Sequence, residues 1–241
     1  MKPVAIIQAR LSSTRLPGKV LLPLGDFTVL HYVVRRCQLS MKLADVIVAT
    51  TTNASDDALV GYAKSLGVAV FRGSETDVLE RYVGAAVQSQ ADPIVRITSD
   101  CPLIDPGIID RAVGEYEAAP ADYVVIDGYP RGTGDAEVMP LSALQQACER
   151  TRPTDAHYRE HVMTYLTDHP QEMQLHVVEA PESLRRPFRL CVDEQADLDV
   201  VRCVCDEFSP RIDFTLAEII AFLDQHPEIT ARNSHVRQKV V

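Results

Sequence analysis

Apolar residues along this chain follow two rhythms. Short, almost unbroken runs at 4–9, 45–50, 68–71, 93–98 and 122–126 are rich in Val and Ile and predict strands. Between them, at 29–39, 56–66, 77–90 and 106–118, apolar residues recur at helical intervals and predict helices. Pro106 suits a first helical turn, where its missing N–H is not needed, and Thr76 is placed to cap the helix that follows it. Strands that are apolar throughout have both faces covered. The alternation therefore predicts an α/β fold, a mostly parallel sheet flanked by helices and joined by right-handed crossovers. In such sheets the ligand crevice lies beyond the carboxyl ends of the strands.

The second half is less regular. Helices are predicted at 141–150, 157–167, 196–208 and 216–225, and strands at 173–179 and 188–192. The Gly-, Pro- and Asp-rich stretch 127–135 reads as a mobile loop over the crevice. No internal repeat or low-complexity linker divides the chain, so one domain with a small α+β extension is expected, ending in a polar, basic arm at 231–241.

Charge narrows the function classes. The formal net charge of −10 argues against a protein that wraps nucleic acid, yet leaves room for a local basic pocket. No run approaches the ~18 apolar residues of a membrane span. The opening MKPVAIIQAR is too short and too soon charged for a signal peptide, so a cytoplasmic protein without a membrane partner is expected. The six cysteines include no CxxC pair and read as reduced thiols, not a zinc site or a disulfide framework.

Against that acidic background, IIQARLSSTRLPGK at 6–19 places Arg10, Arg15 and Lys19 just after the first strand, among Ser12, Ser13, Thr14 and Gly18. Hydroxyls, cations and a glycine suit a polyphosphate, although GxxxxGK[ST] is absent and a solvated basic loop would have the same composition. In VRITSDCPLIDP, Asp100 follows directly on a buried strand and points toward the same crevice or caps the next turn. In RLCVDEQADLDVV, Asp193 stands at another predicted strand end. Two such carboxylates with a triphosphate would bind Mg²⁺, which prefers a few carboxylates with phosphate and water oxygens.

Other segments read two ways. In FRGSETDVLERY, Arg72, Ser74 and Asp77 can reach a nucleotide, and Ser74, Thr76 and Asp77 can equally serve the start of a helix. Within GYPRGTGD and just beyond it, Arg131, Asp135 and Glu137 are placed to touch a polar substrate. HYREH at 157–161 matches an inverted zinc-protease pattern, but no segment supplies a third ligand. A helix giving Glu160 and His161 to a substrate pocket or a subunit contact fits better than zinc chemistry, and a plain surface helix is the other reading.

Taken together, IIQARLSSTRLPGKVLLPLG, VIVATT, FRGSETDVLERY, VRITSDCPLIDP, REHV and VDEQADLDVV resemble the SpsF-like branch of the cytidylyltransferases, relatives of the CMP-sialic acid and CMP-3-deoxy-manno-octulosonate synthetases. The stretches run in the family's order over most of the chain. The resemblance implies a nucleotide-diphospho-sugar transferase fold that is Rossmann-like, with CTP at the carboxyl ends of the strands. It further implies that the backbone around Gln8, Ala9 and Arg10 reads the cytosine, that Arg10 and Lys19 hold the triphosphate, and that Asp100 and Asp193 hold Mg²⁺. It implies a cytoplasmic homodimer. On this reading 1–127 is the nucleotide-binding half, 128–230 the substrate and dimerisation half, and 231–241 a tail.

The expected function is CMP transfer from CTP to an anionic sugar acid, with release of pyrophosphate, in surface polysaccharide biosynthesis. Catalytic roles fall to Arg10, Lys19 and Asp100. Nucleotide contacts fall to Gln8, Ala9, Ser13, Arg15, Arg72 and Asp77, and substrate contacts to Arg131, Glu137, Glu160 and His161. A glycosyltransferase using a preformed nucleotide sugar and a non-catalytic nucleotide-binding subunit are the alternatives.

Overall fold

A computed structural model describes residues 1–238. The strands β1 (Val4–Gln8), β4 (Asp45–Thr51), β5 (Ala69–Gly73), β6 (Ile94–Thr98), β7 (Tyr123–Asp127), β8 (Glu137–Met139) and β9 (Leu175–Glu179) form one sheet in the order β5-β4-β1-β6-β8-β7-β9. A separate two-stranded hairpin, β2 (Pro23–Leu24) with β3 (Phe27–Thr28), lies outside it. Parallel pairing links β5, β4, β1 and β6, and again β7 and β9, while β8 runs antiparallel to both of its neighbours. The chain moves outward from β1 to β4 and β5, then returns to place β6 on β1's other side. The order therefore reverses between β1 and β6, the position at which open α/β sheets form their crevice.

Both faces of β1 are buried, with alternate residues serving opposite cores. Ala5 and Ile7 join the core that includes residues of α1 (Val29–Gln38), α4 (Pro106–Ala118), α8 (Gln195–Phe208) and α9 (Leu216–Gln225). Val4 and Ile6 join the core formed with α3 (Val78–Ser89), α5 (Leu141–Arg150) and α7 (Thr164–Asp168). This two-residue alternation between two apolar layers is why the strand reads as unbroken hydrophobicity. Arg36 of α1 is fully buried and donates to the carbonyls of Ile104, Ile212 and Phe214, tying the first core together.

The strands predicted before residue 180 and the first four helices form within a few residues of their expected bounds, the second of those helices being α2 (Asp57–Ser65). Three expectations are corrected. The strand expected at 188–192 is an extended connector: Arg131 donates its N–H to Phe188 O, Leu190 donates back to Arg131 O, and no ladder develops. The helix expected at 157–167 divides into α6 (Ala156–Glu160) and α7, because His161 leaves the helical region with ψ 82°. The loop at 127–135 is packed down, with Thr133 fully buried and its carbonyl accepting from Asp105 N–H. Gly132, at φ +89°, lies so close to the connector that a Cβ would meet Leu190 C at 2.6 Å.

The expected exposed arm at 231–241 begins as a docked segment. Asn233 is buried and donates to Arg189 O and Asp197 Oδ1, both at 2.9 Å. Residues 239–241 of that arm lie outside the described residues. No helix among the described residues is long and apolar enough to cross a membrane.

Candidate active site

The crevice is built from the two strand ends on either side of the reversal. After β1 the chain turns outward, and its backbone is pinned by a buried acid: Leu11 N–H donates to Asp56 Oδ1 at 2.8 Å, while Asp56 Oδ2 accepts from Thr51 at 2.5 Å. The loop then closes on itself, with Gly18 N–H donating to Leu11 O at 3.0 Å. Gly18 takes a left-handed φ of +68°, which suits a residue without a Cβ, and starts the short 3₁₀ turn Lys19–Leu21. Lys19 is thereby swung back under the strand ends.

On the other side, β6 ends at Thr98 and Ser99 N–H donates to Gln8 O at 3.2 Å, so Asp100 leaves the sheet beside β1. Val192 N–H donates to Asp100 O at 2.7 Å and brings Asp193 alongside. The three side chains converge. Lys19 Nζ lies 3.0 Å from Asp100 Oδ2, 2.9 Å from Asp193 Oδ1 and 2.7 Å from Val192 O. Arg15 also reaches Asp193 Oδ1 at 2.7 Å, and Arg189 holds Asp193 Oδ2 at 2.7 Å while its Nε is fixed by the fully buried Asp197.

Burial opposes charge on Lys19, but the carboxylates of Asp100 and Asp193 outweigh it and hold its pKa above the ordinary lysine value. Burial likewise opposes charge on Asp100, and the Lys19 ammonium, with the Thr98 hydroxyl, more than offsets it and holds that carboxyl below its usual range. The pair is therefore ionised across the whole physiological range.

These groups open on a cleft of about 290 Å³. Of the residues expected at a site, Gln8, Ala9, Arg10, Ser13, Arg15, Lys19, Asp100, Glu160, His161 and Asp193 line it. Arg10 is partly exposed at the rim and lies 3.6 Å from Glu75, which also accepts from Ser12 and Asn53. Four expected residues are engaged elsewhere. Arg72 pairs with Asp57 and donates to the carbonyls of Thr51 and Asn53. Asp77 caps α3 by accepting from Glu80 N–H and pairs with Arg159 at 3.1 Å. Glu137 lies on β8 and binds Arg96 and the Tyr123 hydroxyl within the sheet layer. Arg131 is exposed, bridged through its backbone to Arg189.

Several contributors were missed. Arg189 and Asp56 orient the site without a recognisable spacing. Arg81 lines the cleft and did carry a signal: it stands three residues after Val78 on a helix that begins at the crevice, which puts both on one face. Burial is the first cause drawing Arg81 below the ordinary arginine value.

The cytidylyltransferase family model matches residues 4–221. The chain belongs to the cytidylyltransferase family. It is therefore an enzyme of the nucleotidyltransferase class. The spore coat polysaccharide biosynthesis protein SpsF of Bacillus subtilis (strain 168) is 35% identical over 228 residues, covering 92% of this chain and 94% of that protein. Among solved structures, a cytidylyltransferase from Leptospira borgpetersenii serovar Hardjo-bovis superposes with a TM-score of 0.89 at 33% identity, covering 99% of this chain and 100% of that one. The CMP:2-keto-3-deoxy-manno-octonic acid synthetase complexed with CTP shares the fold, with a TM-score of 0.67 at 17% identity over 86% of this chain and 99% of that one.

A divalent cation is compatible with the donor set. Asp100 and Asp193 already converge on one cationic atom, Lys19 Nζ, and the second oxygen of Asp100 accepts from the Cys101 thiol at 3.6 Å. Among the described residues no group of three or more His, Cys, Asp and Glu side chains is placed to hold a metal.

Proposed function

We propose that this enzyme transfers CMP from CTP to a hydroxyl of an anionic sugar acid, releasing pyrophosphate, as a Mg²⁺-dependent cytoplasmic homodimer serving surface polysaccharide synthesis. The observation that carries the reading is the Lys19 ammonium held between Asp100 and Asp193 where the strand order reverses. Support for cytidylyl transfer comes from the family, and for the pathway from the SpsF relative, whose name refers to polysaccharide biosynthesis.

The three cations of the β1 loop are each paired with a carboxylate that they can exchange for a phosphate. Lys19 and Arg15 bind Asp193, and Arg10 faces Glu75. An incoming triphosphate brings a higher density of negative charge than any one carboxylate, so these side chains turn from acid to phosphate, and oxygens of Asp100 and Asp193 are released at the same moment. Bound there, Mg²⁺ would be held by Asp100 and Asp193 and would neutralise charge on the reacting phosphate. Ser13 and the backbone of the β1 loop set the position of the phosphates, and Glu160 and His161, on the wall formed with α3, face the acceptor. The acceptor hydroxyl oxygen forms a bond to the α-phosphorus and loses its proton to water, the bond to the bridging oxygen breaks, and pyrophosphate leaves with charge spread over Lys19 and Arg10.

A pyrophosphate-release screen tests this, with Mg²⁺ and the four nucleoside triphosphates against a panel of nonulosonic and octulosonic acids. Release from CTP with at least one sugar acid is expected. Consumption of a preformed nucleotide sugar without pyrophosphate release would overturn it in favour of glycosyl transfer.

A further inference from the structure

Asp197 is fully buried, and neither it nor Asn233 is among the described residues that line the cleft. Its carboxylate nonetheless gathers the groups that fix Asp193 from behind. Oδ2 accepts the backbone N–H of Asp193 itself at 3.0 Å and that of Glu194 at 3.1 Å. Oδ1 accepts from Arg189 Nε and from Asn233 Nδ2, each at 2.9 Å. Arg189 in turn donates through Nη2 to Asp193 Oδ2 at 2.7 Å. Asn233, which ends the short turn Ala231–Asn233, also donates to Arg189 O, and Gln238 Oε1 accepts from Arg189 Nη1 at 2.8 Å. An acid at the third position of a helix ordinarily caps it, and the Glu194 bond does this for α8. Capping needs that one bond. It does not explain the bonds to Asp193 N–H, to Arg189 and to a residue 36 positions later in the chain, nor why a helix-start acid is taken wholly out of water.

We propose that Asp197 and Asn233 are positioning residues for the carboxylate of Asp193, and that the segment after α9 thereby sets the affinity for the divalent ion. The assignment rests on the nucleotidyl-transfer reading above. The two oxygens of Asp193 have different partners. Oδ1 is shared by Lys19 and Arg15, the cations that a triphosphate draws away. Oδ2 is held by Arg189, which carries one positive charge and stands between two carboxylates. Asp197, holding Nε, keeps that guanidinium from swinging onto Asp193 as a bidentate partner or following the phosphates into the cleft. The Asn233 amide satisfies Asp197 Oδ1 without adding charge and ties the Arg189 backbone to the same point. Mg²⁺ demands near-ideal ligand directions, so a carboxylate already fixed by outer partners meets it with little reorganisation.

Calorimetric titration of CTP into the full chain, once with Mg²⁺ and once with EDTA, tests this. The quantity read is the gain in CTP affinity that Mg²⁺ confers, and wild type should gain about tenfold or more. Asp197→Asn keeps the side-chain shape, removes the charge and should abolish most of that gain. Asn233→Ala should cut it about threefold or more, and in both variants affinity in EDTA should stay within about twofold of wild type. The two substitutions remove opposite ends of one hydrogen bond, so either provides the reading if the other variant does not fold. A role confined to capping α8 would lower the urea midpoint and leave the gain unchanged. That result, or an equal loss of affinity with and without Mg²⁺, overturns the proposal. Wild type that binds CTP equally under both conditions overturns the metal role of Asp193 and the proposal with it. Wild type that binds no CTP overturns the nucleotidyl-transfer reading as well.

Discussion

Lys19→Ala and Asp100→Asn should each lower the rate of pyrophosphate release by about 10²-fold or more, the size of effect seen when a preorganised charge partner is removed from a reacting oxyanion. The two losses have different causes. Alanine at 19 removes the ammonium that bridges both acids, while Asp193 keeps Arg15 and Arg189. Asparagine at 100 keeps the side-chain shape and leaves Lys19 its bonds to Asp193 and Val192 O, so the loop geometry persists while one charge is lost.

Their pH profiles separate the two. In wild type the Asp100 carboxyl is held low, against burial, chiefly by the Lys19 ammonium, so activity that depends on its ionised form should hold down to pH values below the usual carboxylate range. Without Lys19 the burial that raises Asp100 is unopposed by that charge, and the acid limb of the Lys19→Ala rate profile should move to higher pH. Steady-state pyrophosphate release across pH checks both statements. Near-wild-type rates in the two variants, or an acid limb that does not move, would remove the pair from the reaction.

The second large effect is on stability. Arg159→Met should destabilise the fold by about 3–5 kcal/mol, the usual consequence of removing one member of a buried ion pair. Arg159 and Asp77 lie 3.1 Å apart with side chains 8% and 12% exposed, and Arg159 Nη2 also satisfies the carbonyls of Cys148 and Thr151. Methionine would leave Asp77 charged and unpaired beneath the first turn of α3. Replacing both residues, Arg159→Met with Asp77→Asn, should recover part of the loss. Urea unfolding of the single and double variants measures this, and a single-variant change under about 1 kcal/mol would show that the pair does not hold α6 to α3.

The first half of the fold was legible because β1, β4 and β6 are mostly buried on both faces, and short Val- and Ile-rich runs between helical patterns fit strands covered on both sides. β8 was not legible: three residues carry no period, and one of the strands it joins, β6, lies well before it in the chain. The two helices at 156–168 read as one because no Gly or Pro separates them in the sequence. The break at His161 accompanies the commitment of Arg159 to Asp77, more than 80 residues away in sequence, which no local pattern records. The opening loop showed its chemistry plainly because three cations in an acidic chain lie within ten residues. FRGSETDVLERY offered capping and ligand readings in equal measure. The structure commits Asp77 to the cap and Arg72 to Asp57, and it turns Arg81 to the cleft.

The central claim is that the β1 loop and the pair Asp100 and Asp193 clasp a metal-bound triphosphate. A crystal structure of the enzyme with CTP and Mn²⁺, the metal located by its anomalous signal, tests it most directly. The account predicts triphosphate density along residues 10–19, with Lys19 moved onto phosphate and the metal peak on Asp100 and Asp193. Nucleotide bound elsewhere, or a metal peak with both carboxylates still on Lys19, would contradict it.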